Sequence, residues 1–296
     1  MDLLGTLQGY VRHRLVAAGA TSQLHRLGGL GVHGYRLPGR GGGPPVVLVH
    51  GLGGSANGWV RVMQRLARDF SAVHAVDLPG NGFSPLPDSG PLTLEQQVRV
   101  LHDYCREVVR TPALVVGNSL GGALSLILGA VHPEDVAALA LVAPAGGQMS
   151  PGAFSELMQA LDVQTTADAV RLTRRLFHRP PLLALLFAPG MKQMHATPAV
   201  RALRRTVRES DHIPPELLRG LRAPTLVLWG GSEKLLPQEL LAWYRAHLPQ
   251  ARIEVVPGFG HVPQMEHPRK LVNRLRAFAA EAGLLPAARA AGSAHP

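Results

Sequence analysis

Ser119, Glu233 and His261 are the residues on which a reaction could be built. Ser119 stands in Gly117-Asn118-Ser119-Leu120-Gly121, between the apolar run Ala113 to Val116 and the small-residue start Gly122-Ala123. A serine held on a sharp strand-to-helix turn needs small neighbours, because the strained backbone brings the positions two on either side close together. The helix that follows aims its free N–H groups and the positive end of its dipole at an oxyanion forming next to Ser119. A hydroxyl is a weak nucleophile until a base takes its proton, and the base needs a carboxylate to orient it. His261, in Gly258-Phe259-Gly260-His261-Val262-Pro263, follows the run Ile253 to Val256 and is the candidate base; with fourteen histidines in the chain, position rather than type singles it out. Glu233, in Trp229-Gly230-Gly231-Ser232-Glu233, follows the run Thr225 to Trp229 and is the candidate acid. The order serine, acid, histidine is the one that accompanies this kind of turn. Such a set performs nucleophilic acyl transfer: Ser119 attacks, His261 accepts and returns the proton, Glu233 orients the imidazole, and water frees the acid. It requires no metal and no cofactor, because every reacting group is supplied by the chain.

The backbone must also supply oxyanion donors. His50-Gly51-Leu52-Gly53-Gly54 follows the run Val46 to Val49, so it can turn back over the serine. The N–H groups of Leu52 and Leu120 are the expected donors.

Positioning these groups calls for strands that end at one edge. Short apolar runs at Val46 to Val49, Val73 to Val76, Ala113 to Val116, Ala138 to Val142, Thr225 to Trp229 and Ile253 to Val256 alternate with helical segments such as Thr93 to Val109 and Gln238 to His247. That alternation predicts an α/β fold with a mainly parallel sheet covered on both faces. It lapses between residues 146 and 222, where the pattern is helical and broken at Pro180-Pro181, Pro189-Gly190, Pro198 and Pro214-Pro215. The expected organisation is an N-terminal amphipathic helix region (1–30), a core (31–145 and 223–284), an inserted helical cap (146–222) and a frayed tail (285–296). In the first region Leu3, Leu7, Val11 and Leu15 recur four apart, beside Arg12, His13 and Arg14. Such a helix packs on the protein's own surface or lies on a membrane or a partner. Apolar cap residues Phe154, Leu157, Met158, Leu161, Phe177, Leu182, Leu183, Leu186 and Phe187 could line an acyl pocket or form the cap's own core. Core packing is expected for most, with Phe154 and Met158 assigned to substrate binding.

Composition narrows the remaining classes. With 46% hydrophobic and 17% charged residues over 296 positions, the chain is globular rather than disordered. Cys105, the single cysteine, excludes an intrachain disulfide and a cysteine-rich metal site. The net charge of +10 attracts anionic partners, but with 5% aromatics and no recognised reading module, nucleic acid is not expected as one. Between Ala169 and Arg208 there is no Asp or Glu, while Arg171, Arg174, Arg175, Arg179, Lys192, Arg201, Arg204, Arg205 and Arg208 are all basic. This is either a solvated outer face or a surface that draws anionic membranes or substrates. Arg201, Arg204, Arg205 and Arg208 share one expected helical face. The start Met1-Asp2 and the late Arg12 and Arg14 do not form a secretory signal, so a cytoplasmic location is expected, with peripheral membrane association through the first helix left open.

On His50 to Gly54, Asp77-Leu78-Pro79-Gly80-Asn81-Gly82-Phe83-Ser84, the Ser119 turn, Trp229-Gly230 and Gly260-His261, in family order and spacing, the chain resembles the α/β-hydrolase superfamily from about Val32 to Leu284. The resemblance implies that fold, with Asp77 to Ser84 as a structural turn without chemistry. Gly117 to Gly122, taken with Leu141-Val142-Ala143-Pro144-Ala145-Gly146, is most similar to capped bacterial esterases and lipases related to monoacylglycerol lipases. That implies a small-molecule carboxylic ester with an apolar acyl chain as substrate. The meta-cleavage carbon–carbon hydrolases share the Asn-Ser pairing and are the alternative; a binding protein that keeps the fold without turnover is a third reading. Serine at 119 argues against the haloalkane dehalogenases and epoxide hydrolases, whose nucleophile is aspartate. Glu233 departs from the resemblance, since such families usually carry aspartate there.

Overall fold

The computed structural model describes residues 3–180 and 184–286, with side chains from 5–180 and 188–286. Leu182, Leu183, the side chains of Leu3, Leu186 and Phe187, and residues 287–296 of the expected tail lie outside the described residues. Among the described residues, eight strands form one sheet: β1 (Thr21–Leu27), β2 (Leu30–Pro38), β3 (Val46–Val49), β4 (Ala72–Val76), β5 (Ala113–Asn118), β6 (Val136–Val142), β7 (Thr225–Gly230) and β8 (Arg252–Val256). Their spatial order is β1-β2-β4-β3-β5-β6-β7-β8, and every neighbouring pair from β4 to β8 is parallel.

The helices are α1 (Leu3–Ala17), α2 (Val60–Leu66), α3 (Leu94–Tyr104), α4 (Leu120–Val131), α5 (Pro151–Leu161), α6 (Thr166–Leu176), α7 (Ala184–His195), α8 (Pro198–Thr206), α9 (Gln238–His247), α10 (Pro263–Glu266) and α11 (Pro268–Glu281). None of the described helices is long and apolar enough to cross a membrane. Two cores form because strand side chains alternate across the sheet. Leu48, Val116, Val142 and Leu228 pack with Leu15 of α1, Met63 of α2 and Leu271 and Leu275 of α11 on one face. Val47, Val115, Leu141 and Val227 pack with Leu101 of α3, Leu124 and Leu128 of α4 and Tyr244 of α9 on the other. A strand buried on both faces has no polar side to show, which is why these runs are continuous in hydrophobicity.

The six apolar runs all become strands, and β6 begins two residues earlier than its run. The sheet also holds an antiparallel hairpin, β1–β2, turning at Gly28-Gly29. Nothing in the hydrophobic pattern announces β1: its sequence Thr-Ser-Gln-Leu-His-Arg-Leu is largely exposed at the sheet edge, and even Leu24 is 56% exposed. This edge strand leaves most of its side chains in solvent, so polar residues suffice. The segment expected to be helical from Thr93 is α3, where Thr93 and Gln96 form a capping box, followed by a π-helical turn over Cys105–Val109. In α1 the stripe is oriented by depth: Leu15 is fully buried, Val11 packs partly buried on the same core, and Leu7 is 42% exposed.

Candidate active site

The turn between β5 and α4 holds Ser119 at φ 54° and ψ −119°, in the left-handed half of backbone space that side chains avoid. Such a conformation costs of the order of 1–3 kcal/mol and persists only where the surroundings enforce it. Here Ser119 N–H donates to the Val142 carbonyl at 3.0 Å, and its own carbonyl accepts from Gly122, Ala123 and Ala145. The flanking glycines are required by contact. A Cβ on Gly117 would stand 2.2 Å from the Gly121 carbonyl oxygen, and one on Gly121 would stand 2.5 Å from the carbonyl oxygens of Val49 and His50. Those neighbours are backbone and cannot yield. Leu120 is the first residue of α4, so its N–H belongs to the helix's unpaired donors.

His261 follows β8 and is buried. Its Nδ1 donates to Glu233 Oε2 at 2.8 Å, which fixes the tautomer and leaves Nε2 as the basic nitrogen. Glu233 follows β7, and its other oxygen accepts from the N–H groups of Leu235 at 2.8 Å and Leu236 at 3.1 Å. Burial pushes the Glu233 carboxyl up, but the charge and hydrogen bond of His261 and the Leu236 and Leu235 amides outweigh it and hold the carboxyl below its ordinary value. Glu233 thus enters the site as a carboxylate despite its burial. The extra methylene relative to aspartate is accommodated by these two amides, which anchor the far oxygen.

Asn118, singled out in the sequence only as part of a motif, ties the pieces together. Its Nδ2 donates to the carbonyls of Val142 and His261, both at 3.0 Å, and its Oδ1 accepts from Gln264 Nε2 at 2.9 Å. One buried amide thereby fixes the serine turn to the histidine loop. The far side of that loop is fixed to the end of α6: His261 N–H donates to the Leu176 carbonyl at 2.8 Å, and Lys234 Nζ reaches the His178 carbonyl at 3.2 Å. Glu266 of α10 accepts from the N–H groups of Gly260 and Arg179.

The loop His50 to Gly54 is held from below. His50 Nε2 accepts from Leu78 N–H at 3.0 Å while Nδ1 lies 2.8 Å from the Gly51 carbonyl, and burial lowers the imidazole's proton affinity, keeping it neutral. Asp77 accepts from Ala56 N–H, Phe83 N–H and His33 Nδ1, organising the turn up to Ser84 without entering the cavity.

Ser119, His261, Leu52 and Leu120 all line one cavity of about 540 Å³. Its other walls come from the segment between β6 and β7, from Leu7 of α1, from Trp59, and from Leu235, Leu236 and Met265 beside the acid and histidine loops. Phe154 and Met158 face it, as do Leu157, Leu161 and Phe177. Sequence reasoning missed His195, at the end of α7: it is 7% exposed, lines the cavity, and sits so close to the serine-side loop that a Cβ on Gly53 would lie 3.1 Å from its Nε2. No local pattern marks it among fourteen histidines. The expected four-arginine face is corrected. Helix α8 ends at Thr206, so Arg208 lies beyond it and folds back onto the carbonyls of Arg205 and Thr206, while Arg204 turns to Asp162 and lines the cavity. Arg201 and Arg205 are exposed, as are Arg171, Arg174 and Arg175 of α6. The side chain of Arg171 pairs with Asp168.

Comparison with known proteins agrees with this fold. Residues 44–268 match a family described as alpha/beta hydrolase fold. The chain is 32% identical to the dihydrolipoyllysine-residue acetyltransferase component of an acetoin cleaving system from Pseudomonas putida, over 88% of this chain and 70% of that one. It is 27% identical to Lipase 1 of Psychrobacter immobilis, covering 82% and 79%. A 2-hydroxy-6-oxo-6-(2'-aminophenyl)hexa-2,4-dienoic acid hydrolase from Metapseudomonas resinovorans matches at 28%, covering 80% and 84%. Among solved structures, a bacterial membrane phospholipase A superposes with a TM-score of 0.82 at 27% identity, covering 95% of this chain and 93% of that one. With its mainly parallel sheet, its strained serine turn and a family match across three quarters of its length, the chain belongs to the α/β-hydrolase fold family.

Proposed function

We propose that this protein hydrolyses carboxylic esters through an acyl-enzyme formed on Ser119. The observation that carries the reading is the meeting of a serine on a strained turn and a histidine oriented by a buried carboxylate at one largely apolar cavity. In this mechanism Ser119 Oγ attacks the ester carbonyl while His261 Nε2 takes its proton. The tetrahedral oxyanion accepts from the N–H groups of Leu52 and Leu120. His261 then gives its proton to the leaving alcohol, and water attacks the acyl-enzyme with the same base. Glu233 remains ionised throughout and steadies the imidazolium. Residues 146–222 act as a cap over the site, with Phe154 and Met158 against the acyl chain. Relatives named as a lipase and a phospholipase A support ester hydrolysis.

Initial rates on p-nitrophenyl esters of rising acyl length, run beside a ring-fission dienone, test the reading. Ester turnover with an optimum above acetate is expected. Dienone cleavage with negligible ester turnover would move the protein to carbon–carbon hydrolysis, the reading favoured by the Asn118-Ser119 pairing and the dienoic acid hydrolase relative.

We further propose that the cavity faces an anionic membrane surface, because Leu7, which lines it, is partly exposed and α6 and α8, which also line it, carry exposed arginines. Co-sedimentation with anionic vesicles should weaken steeply above ~0.1 M salt, where the Debye length is about 10 Å. Binding indifferent to salt, or equal on neutral vesicles, would remove the electrostatic part of this docking.

A further inference from the structure

At the end of the sheet opposite Ser119, two helices finish side by side. Helix α4 leaves the serine turn at Leu120 and runs twelve residues, about 18 Å, before His132 closes it. His102 lies in the last turn of α3 beside it, and the rings of His102 and His132 stack with centroids 3.7 Å apart at 17°. Two residues further on, Glu134 Oε1 lies 3.5 Å from His132 Nδ1. One ligand atom from each of His102, His132 and Glu134 falls within 4.8 Å of the other two.

What makes this more than a surface cluster is Asp135. Its side chain is 4% exposed, and its Oδ2 accepts from His102 Nδ1 at 2.7 Å. That bond turns the ring, fixes the proton on Nδ1 and leaves the Nε2 lone pair free to bind. A carboxylate behind a histidine in this way is the support that metal-ligating imidazoles have, and it raises their basicity. Two half-buried imidazoles and one exposed carboxylate form a donor set for a borderline divalent cation, with a fourth position left to water. Metal–nitrogen bonds of about 2.1 Å in a tetrahedron bring two ligand nitrogens to ~3.4 Å, so the ligand atoms, within 4.8 Å of one another here, must draw closer. Because lone pairs lie in the ring planes, the His132 ring must swing out of the stack to converge with His102 on one ion; neither His132 nor Glu134 is buried, so both are free to turn.

We propose that His102, His132 and Glu134 form a binding site for a zinc-like divalent cation that clamps the end of α3 to the end of α4, with Asp135 as the positioning residue behind His102. The site is a whole helix length from Ser119 and takes no part in the acyl chemistry. It is independent of the ester reading.

Titration of the full chain with zinc chloride, by calorimetry and by thermal unfolding, tests it. The wild type is expected to bind one zinc with Kd of the order of micromolar and to rise in Tm by roughly 5 °C at a hundredfold excess over Kd. His132→Ala should weaken binding at least ~100-fold and abolish the Tm rise. Glu134→Gln should weaken it about tenfold. Both variants should keep the apo Tm and wild-type turnover of whatever substrate the enzyme accepts, because neither side chain supports the core or the catalytic groups. Zinc uptake that survives both substitutions unchanged, or a wild-type Kd weaker than about 1 mM, would overturn the proposal.

Discussion

Replacing Ser119 by alanine is expected to lower kcat on any ester substrate by about 10⁵- to 10⁶-fold. The size follows from what remains. In the proposed mechanism the oxyanion donors are backbone groups of Leu52 and Leu120, and the cavity walls are untouched, so the variant should keep substrate binding and a residual rate over water. Ser125, nearly two helical turns further on, does not substitute, because it donates inward to the Gly121 carbonyl. Stability should change little, since alanine inherits the φ of 54° along with its strain. Ser119→Gly should be equally inactive yet about 1 kcal/mol more stable than the alanine variant, because glycine adopts positive φ without steric cost. Rates on p-nitrophenyl esters and urea unfolding of the three proteins check both parts. An alanine variant that retained more than a hundredth of wild-type kcat would remove Ser119 from its role.

The second large effect concerns Glu233. In Glu233→Gln the amide is nearly the same shape, but only its oxygen can accept. The N–H groups of Leu235 and Leu236 claim that oxygen, so the NH₂ is left facing His261 Nδ1. The imidazole then must accept at Nδ1 and carry its proton on Nε2, the nitrogen that should receive the serine proton. The expected loss is about 10³- to 10⁴-fold in kcat, as when the acid of a serine triad is replaced by its amide elsewhere. Glu233→Asp should cost far less, because a carboxylate one methylene shorter still favours the working tautomer. A readout in pH separates tautomer from folding. The Glu233 carboxyl is held below its ordinary value of 4.5 in the fold, so its contribution to stability is complete above that pH and is lost as pH falls through the lower folded value. The glutamine variant should lack that part of the acid limb in a Tm-against-pH profile. A variant with wild-type kcat would show that another group orients His261.

How much of this could be read before the fold was known depends on whether the signal is local. Val46 to Val49 and Val227 in β7 are apolar because both faces of their strands are covered, so burial is written directly into the run. The serine turn is equally local, since Gly117 and Gly121 are demanded by atoms within a few residues and by the adjacent β3. Strand β1 was silent because an edge needs no apolar run. Asn118 was visible as a letter in a motif, but its bonds to His261 and Gln264 span well over a hundred residues and exist only once the sheet has assembled. His195 reaches the loop at Gly53 from a helix whose placement no periodicity encodes. Arginine spacing misled for a related reason. Four basic residues at helical intervals imply one face only if the helix persists, and α8 stops at Thr206, while Asp162 draws Arg204 inward.

The fastening of α6 to the histidine loop has a consequence for how a substrate enters. Leu176 holds the backbone of His261, and His178 and Arg179 are tethered to Lys234 and Glu266. This wall and the proton acceptor therefore travel together. A molecule admitted by lifting α6 would arrive at a serine whose partner had just been displaced, and it could leave again unreacted. A substrate path that leaves this wall in place keeps His261 in place as well. Remodelling the α6 wall for new cargo would therefore retune the imidazole at the same time.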